Sequence, residues 1–92
     1  MKLYYWDDAK NALLHRTRRV TFDDCWAAVG RGDVLAILGS ANPVRYPQQQ
    51  RYVIRFGNYA YVVPFVESDD AIFLKTIYPS RRMTALYLRQ EE

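Results

Sequence analysis

Ninety-two residues, half of them hydrophobic and a quarter charged, are enough for one small domain spanning 1–92 with a single core. The net charge of +3 and the pI near 9.2 permit an acidic partner without demanding one. A lone cysteine excludes an internal disulfide, and one cysteine with one histidine cannot assemble a zinc set.

The N-terminal run Leu3-Tyr4-Tyr5-Trp6 is β-prone and too short for the apolar part of a signal peptide. No stretch approaches the roughly 20 apolar residues of a membrane span, so a cytoplasmic protein without membrane attachment is expected. Asp7-Asp8 can cap a first helix over residues 8–17, in which Ala9, Ala12, Leu13 and Arg16 recur at helical spacing. His15, Arg16, Arg18 and Arg19 make its end the densest positive cluster of the chain. Cations there complement the helix dipole, and the same cluster is also a surface for phosphate or for an acidic partner.

The second helix is announced by Thr21 as N-cap with Asp24 three residues on, followed by Phe22, Cys25, Trp26 and Val29 at i, i+3, i+4 and i+7. Gly30 or Gly32 supplies its stop. This spacing places Cys25 in the core as a small apolar residue rather than a nucleophile, with Trp26 beside it as an anchor. Val34 to Leu38 reads as a short strand. The segment 39–50, with two prolines and three glutamines, reads as a long loop on which Arg45 and Tyr46 are either plain surface or ligand contacts.

The last third is a sheet. Residues 51–56 and 59–66 flank Gly57-Asn58, the signature of a tight hairpin of the primed type. Tyr52, Ile54 and Phe56 give one apolar face, and Arg51 and Arg55 lie on the other. Pro64 cannot donate to a ladder, so its nitrogen must meet an edge or a bulge. Beyond the polar turn 67–70, period-two alternation over Ile72–Tyr78 groups Lys75 with Phe73 and Ile77, and Ile72 with Leu74, Thr76 and Tyr78. Pro79 ends the strand, and Ser80 caps a last helix with Met83, Leu86 and Tyr87 inward. Its acidic end, Gln90-Glu91-Glu92, opposes the helix dipole and should fray.

Glu67, Asp69 and Asp70 lack the spacing and glycine of a calcium loop, and no phosphate-binding glycine motif or nucleophile elbow is present. What remains is arginines, one strand lysine, tyrosines and one histidine. Such groups suit metal-independent RNA cleavage, in which the 2′-hydroxyl attacks, a side chain accepts its proton and fixed cations neutralise the phosphorane. No cofactor is called for. A binding role without chemistry uses the same residues.

Trp6-Asp7-Asp8-Ala9-Lys10 followed by Val20-Thr21-Phe22-Asp23-Asp24 resembles the opening "WDxxK…V[ST]FEE" of BrnT-type toxins of the RelE/ParE superfamily. Lys75-Thr-Ile-Tyr-Pro-Ser-Arg-Arg-Met-Thr84 resembles that family's "R-I-I-S-A-R-x-A-T" junction. Arg18 stands where the family usually has a histidine, Lys75 lies near the first junction arginine with one extra residue following, and Arg81 matches the second. The resemblance implies an α+β fold: two N-terminal helices on an antiparallel sheet of three to five strands, closed by a C-terminal helix. It also implies a type II toxin, probed first as an endoribonuclease and otherwise as a non-catalytic toxin or binding protein that acts on a protein target. The implied partners are a cognate antitoxin and RNA, in a homodimer or a toxin–antitoxin hetero-oligomer. Lys75 and Arg81 would neutralise the phosphate, Tyr78 or His15 would carry the proton, and Arg82, Arg51, Arg55 and Arg18 would hold the RNA.

Overall fold

The structure, a computed structural model, describes residues 2–88. Strand β1 (Leu3–Tyr5) is followed by Asp7, whose carboxylate accepts the Lys10 backbone N–H at 2.9 Å and starts α1 (Asp8–Arg18). Arg19 closes that helix in the left-handed region at φ 60°. Helix α2 (Phe22–Arg31) opens with a reciprocal box: the Thr21 hydroxyl accepts from the Asp24 N–H and the Asp24 carboxylate from the Thr21 N–H. Gly32 stops it at φ 82°. The Asn11 side chain joins the two helices, accepting from the Phe22 N–H at 2.7 Å and donating to Asp23 at 3.1 Å.

The strands are β2 (Val34–Gly39), β3 (Gln49–Phe56), β4 (Tyr59–Glu67), β5 (Ala71–Leu74) and β6 (Tyr78–Pro79), followed by α3 (Arg81–Tyr87). They form one six-stranded sheet in the order β1-β5-β4-β3-β2, with β6 also paired to β4. The sheet is mixed, whereas an antiparallel one was expected: β1 runs parallel to β5, with Leu3 beside Ala71 and Tyr5 beside Phe73. A parallel neighbour needs a long crossover, and the two helices and the hairpin between β1 and β5 supply it. In the β3–β4 turn only Gly57 has positive φ (64°), the pattern of a type II′ turn. The loop between β2 and β3 is shorter than the sequence suggests, because Gln49 and Gln50 already pair with Val66 and Phe65.

Pro64 sits in the middle of this sheet, buried, opposite Arg51. Its carbonyl accepts the Lys75 N–H at 2.8 Å, so its nitrogen faces the same neighbour. On that side the ladder breaks: β5 pairs up to Phe65–Leu74, and β6 resumes at Val62–Tyr78. The missing donor and the interruption coincide, as proline chemistry requires. Residues 75–77 leave the strand path, and simple alternation fails there. Lys75 keeps the side of Phe73, but Ile77 packs with Ile72 and Leu74, and Tyr78 turns to the opposite side.

The sheet is covered on both faces, so there are two cores. Leu14, Val20, Phe22, Cys25 and Ala28 pack on Tyr52, Ile54, Val63, Phe65, Ile72, Leu74 and Ile77. Within this layer the Tyr4 and Tyr52 hydroxyls are hydrogen bonded at 2.9 Å, and Tyr52 stacks on Phe65 with ring centroids 4.1 Å apart. On the other face Met83, with Tyr87 and Leu88, covers Val53, Ala60 and Val62. Val53, flanked by the two arginines of β3, is therefore fully buried under α3 rather than solvated.

Three inward assignments change. Leu14, not Leu13, is the buried residue of α1. Trp26 is 58% exposed, because α2 lays its small residues Cys25 and Ala28 against the sheet, and a tryptophan there would prop the helix away. Leu86 is exposed, and Thr84 takes the inward place: its hydroxyl accepts the buried Ala60 N–H at 2.8 Å and donates to the Ser80 carbonyl. The acidic tail expected to fray lies outside the described residues.

Two outcomes test these contacts. Thr84→Val keeps the volume but leaves the Ala60 N–H without an acceptor, and should lower the urea-unfolding free energy by about 1–3 kcal/mol, with Thr84→Ser recovering most of it. Burial, with a smaller contribution from Asp24, pushes the Cys25 thiol from its ordinary 9.0 up to about 12. The folded value is raised, so the stability it contributes is complete below pH 9.0 and is lost as pH climbs toward about 12. Unfolding curves collected across that range should fall more steeply for the wild type than for Cys25→Ala.

Candidate functional site

Strand alternation fixes which side chains stand together. Tyr52 and Ile54 enter the core beneath α1 and α2, so Arg51, Val53 and Arg55 project to the side of α3. The register carries that side across the sheet, pairing Arg51 with Pro64, Val53 with Val62 and Arg55 with Ala60. Lys75, bonded through its N–H to Pro64, stands on the far side of the proline from Arg51. Two strand spacings separate their Cα atoms by on the order of 10 Å. The two cations lean apart: Lys75 Nζ lies 5.9 Å from the Phe73 ring centroid, and Arg51 Nε donates to the Gly39 carbonyl at 2.8 Å.

Tyr78, half-buried, occupies the next cross-strand row beside Val62. Two residues later Ser80 donates its N–H to the Ala60 carbonyl at 3.0 Å, which anchors the start of α3. Its hydroxyl accepts the Met83 N–H, and Arg81 and Arg82 are exposed in that first turn. Lys75, Arg51, Arg55, Arg81, Arg82 and Tyr78 thus share one side of the molecule.

Among the described residues, the strands and the helix on this side contribute cations and no anion. No strand residue that points to it and no described residue of α3 is acidic. Asp33 lies next to Arg55 in the backbone pairing, and its carboxylate is held by Arg31 Nε at 2.9 Å; Asp69 and Asp70 belong to the exposed turn between β4 and β5. Asp7, Asp8, Asp23 and Asp24 head the two N-terminal helices. Glu67, at the end of β4, shares the side of Ile72 and pairs with Lys2 at 3.0 Å.

His15 and Arg18 are not brought to this side. Both belong to the last turns of α1, in the opposite layer. Arg18 serves the fold instead, because its guanidinium donates to the carbonyl of Ile77, a residue with no exposed surface. That bond replaces the water lost where the strand breaks, and it ties α1 to the β5–β6 interruption. Arg45 lies over the Tyr46 ring at 5.4 Å on the loop between β2 and β3.

Two hollows lie elsewhere. One of about 410 Å³ is lined by Lys2, Pro47, Gln48, Glu67 and Asp69, and the other, about 320 Å³ and mostly apolar, by Tyr4, Trp26, Val29 and Gly30. The cations of the α3 side therefore form an open face rather than the wall of either hollow. An open, cationic, partly aromatic sheet can hold an extended polyanion and neutralise charge on it.

Tyr5 is the residue the sequence does not single out. It is 52% exposed, packs its ring 5.0 Å from that of Phe73, and lies on the same side as Lys75. Its signal is the alternation of Leu3 and Tyr5 against buried-side Tyr4, but its neighbour becomes visible only through the β1–β5 pairing. Searches of the chain against protein-family models, curated proteins and solved structures give no match.

Proposed function

We propose that this chain is the toxin of a type II toxin–antitoxin pair, a BrnT-like member of the RelE/ParE superfamily that cleaves RNA without a metal. It would work in the cytoplasm and be silenced by a cognate antitoxin. The observation that carries the reading is the face on which Lys75, Arg51, Arg55, Arg81 and Arg82 stand together with no acidic strand or α3 residue among those described. The α+β class of the fold, three helices on one mixed sheet, is in keeping with the class that the resemblance implies.

On this reading the RNA backbone lies along the face, held by Arg51, Arg55 and Arg82. The 2′-hydroxyl forms a bond to the adjacent phosphorus as the bond to the 5′-oxygen breaks, leaving a 2′,3′-cyclic phosphate and a free 5′-hydroxyl. Lys75 and Arg81 neutralise the charge that gathers on the non-bridging oxygens. Tyr78 is the proton carrier on this side: its phenol protonates the departing 5′-oxygen, while solvent water takes the 2′-hydroxyl proton and then restores the phenol. His15, in the other layer, is withdrawn from that role.

A binding protein without chemistry is the second reading, favoured by one observation: the chain's single histidine lies on the other side of the sheet. Purified protein incubated with single-stranded RNA in excess chelator separates the two. Cleavage should proceed, with Lys75→Ala and Arg81→Ala each slowing it roughly 10²–10³-fold. Intact RNA, together with a stoichiometric protein captured from the native host, would establish the binding role and end the catalytic one.

A further inference from the structure

The α3 side has an uncovered half. Helix α3 packs over Val53, Ala60 and Val62, and Leu35, Ala36 and Leu38 pack against the same cluster, whereas Tyr5, Phe73, Val66 and Gln49 form a cross-strand row outside that set. Tyr5 ends this row about half exposed, its ring 5.0 Å from that of Phe73 and tilted 57° to it, so Phe73 supports the ring while much of its surface stays open. Beside this row runs the row of Lys75, Pro64 and Arg51. Lys75 is one strand over from Tyr5 and two residues along, on the order of 8 Å between Cα atoms.

A half-exposed aromatic ring within a nucleotide's reach of a row of cations has a specific chemical complement, an unpaired base followed by its phosphates. Every base has a π-face that such a ring can stack, whereas a duplex keeps its bases stacked on one another and offers only backbone charge. The absence of acidic groups among the strand residues of this side selects a polyanion over an acid-poor peptide. Buried Pro64, with no N–H and no long side chain, leaves a clear interval between Lys75 and Arg51 in which a backbone can lie.

We infer that Tyr5, backed by Phe73, is a base-stacking platform that makes the basic face selective for single-stranded RNA, with the flanking phosphates on Lys75 and Arg51. The inference rests on the reading that this face takes RNA, and it is independent of whether the RNA is then cut. Tyr5 touches a base and positions the strand; it takes no part in proton transfer.

Fluorescence anisotropy with an unstructured oligouridine and with an RNA duplex of equal length tests it. Wild-type protein should bind the single strand more tightly than the duplex. Tyr5→Leu, which keeps apolar bulk against Phe73 but has no π-face, should lose roughly five- to a hundredfold in single-strand affinity and leave duplex affinity unchanged, while Tyr5→Trp retains both. Thermal unfolding of each variant distinguishes a lost platform from a lost fold, since a leucine variant that melts with the wild type and still binds oligouridine equally well overturns the proposal. Equal binding of duplex and single strand by the wild type overturns it too. Platform behaviour without any cleavage product refutes the nuclease and sustains the platform, and cleavage that Lys75→Ala abolishes but Tyr5→Leu leaves untouched does the reverse.

Discussion

The arrangement turns on a hydrogen bond that cannot form. Pro64 lies in β4, flanked by pairing strands on both sides, and it has no proton to give toward β5 and β6. A continuous third strand would leave its own carbonyl unpaired there, so the chain departs from the ladder for residues 75–77 and returns as β6. The detour has three effects. It sends Ile77 into the layer under α1, turns Tyr78 to the other side, and exposes a buried carbonyl that Arg18 must satisfy. After it, Ser80 and Thr84 restore the interrupted ladder through Ala60 and so fix where α3 begins.

The two sides of the sheet consequently have different chemistries. Under α1 and α2 the sheet is apolar, with Tyr4 and Tyr52 satisfying each other; burial and that bond push the Tyr52 phenol above its ordinary 10.0 and keep it neutral. On the α3 side a seven-residue helix is too short to cover five strands, and the uncovered part keeps its cations and its outermost tyrosine. The helix covers Val53 and Val62 and leaves Lys75 and Arg51 at the margin, which is why apolar packing and exposed cationic groups coexist on one face.

Much of this is legible from local signals. The box between Thr21 and Asp24, the Gly57-Asn58 hairpin and the Ser80 cap each depend on residues within a few positions of one another, and each forms as its sequence implies. Arg51 and Arg55 follow from alternation alone. The features that escape are those decided at a distance. Which side Ile77 faces depends on Pro64, well before it in the chain and one strand away. Trp26 is outward because the sheet prefers the smaller Cys25 and Ala28, a choice that helical spacing cannot make between two adjacent stripes. Arg18 is basic in the sequence and structural in the fold, because its acceptor is created by the break in the ladder. Tyr5 and Phe73 are joined only by a parallel pairing that no neighbouring residues encode.

That parallel pairing governs the order of assembly. Helices α1 and α2 and the β3–β4 hairpin close over short separations, but β1 has no neighbour in the sheet until residues 71–73 have been made. A chain emerging from the ribosome therefore holds β1 unpaired until β5 has followed it, and the entropy of closing so long a loop makes this docking a late, slow event. Until it occurs, the two rings that meet at 5.0 Å belong to separate parts of the polymer. The nascent polypeptide thus lacks that aromatic pair until β5 has been translated.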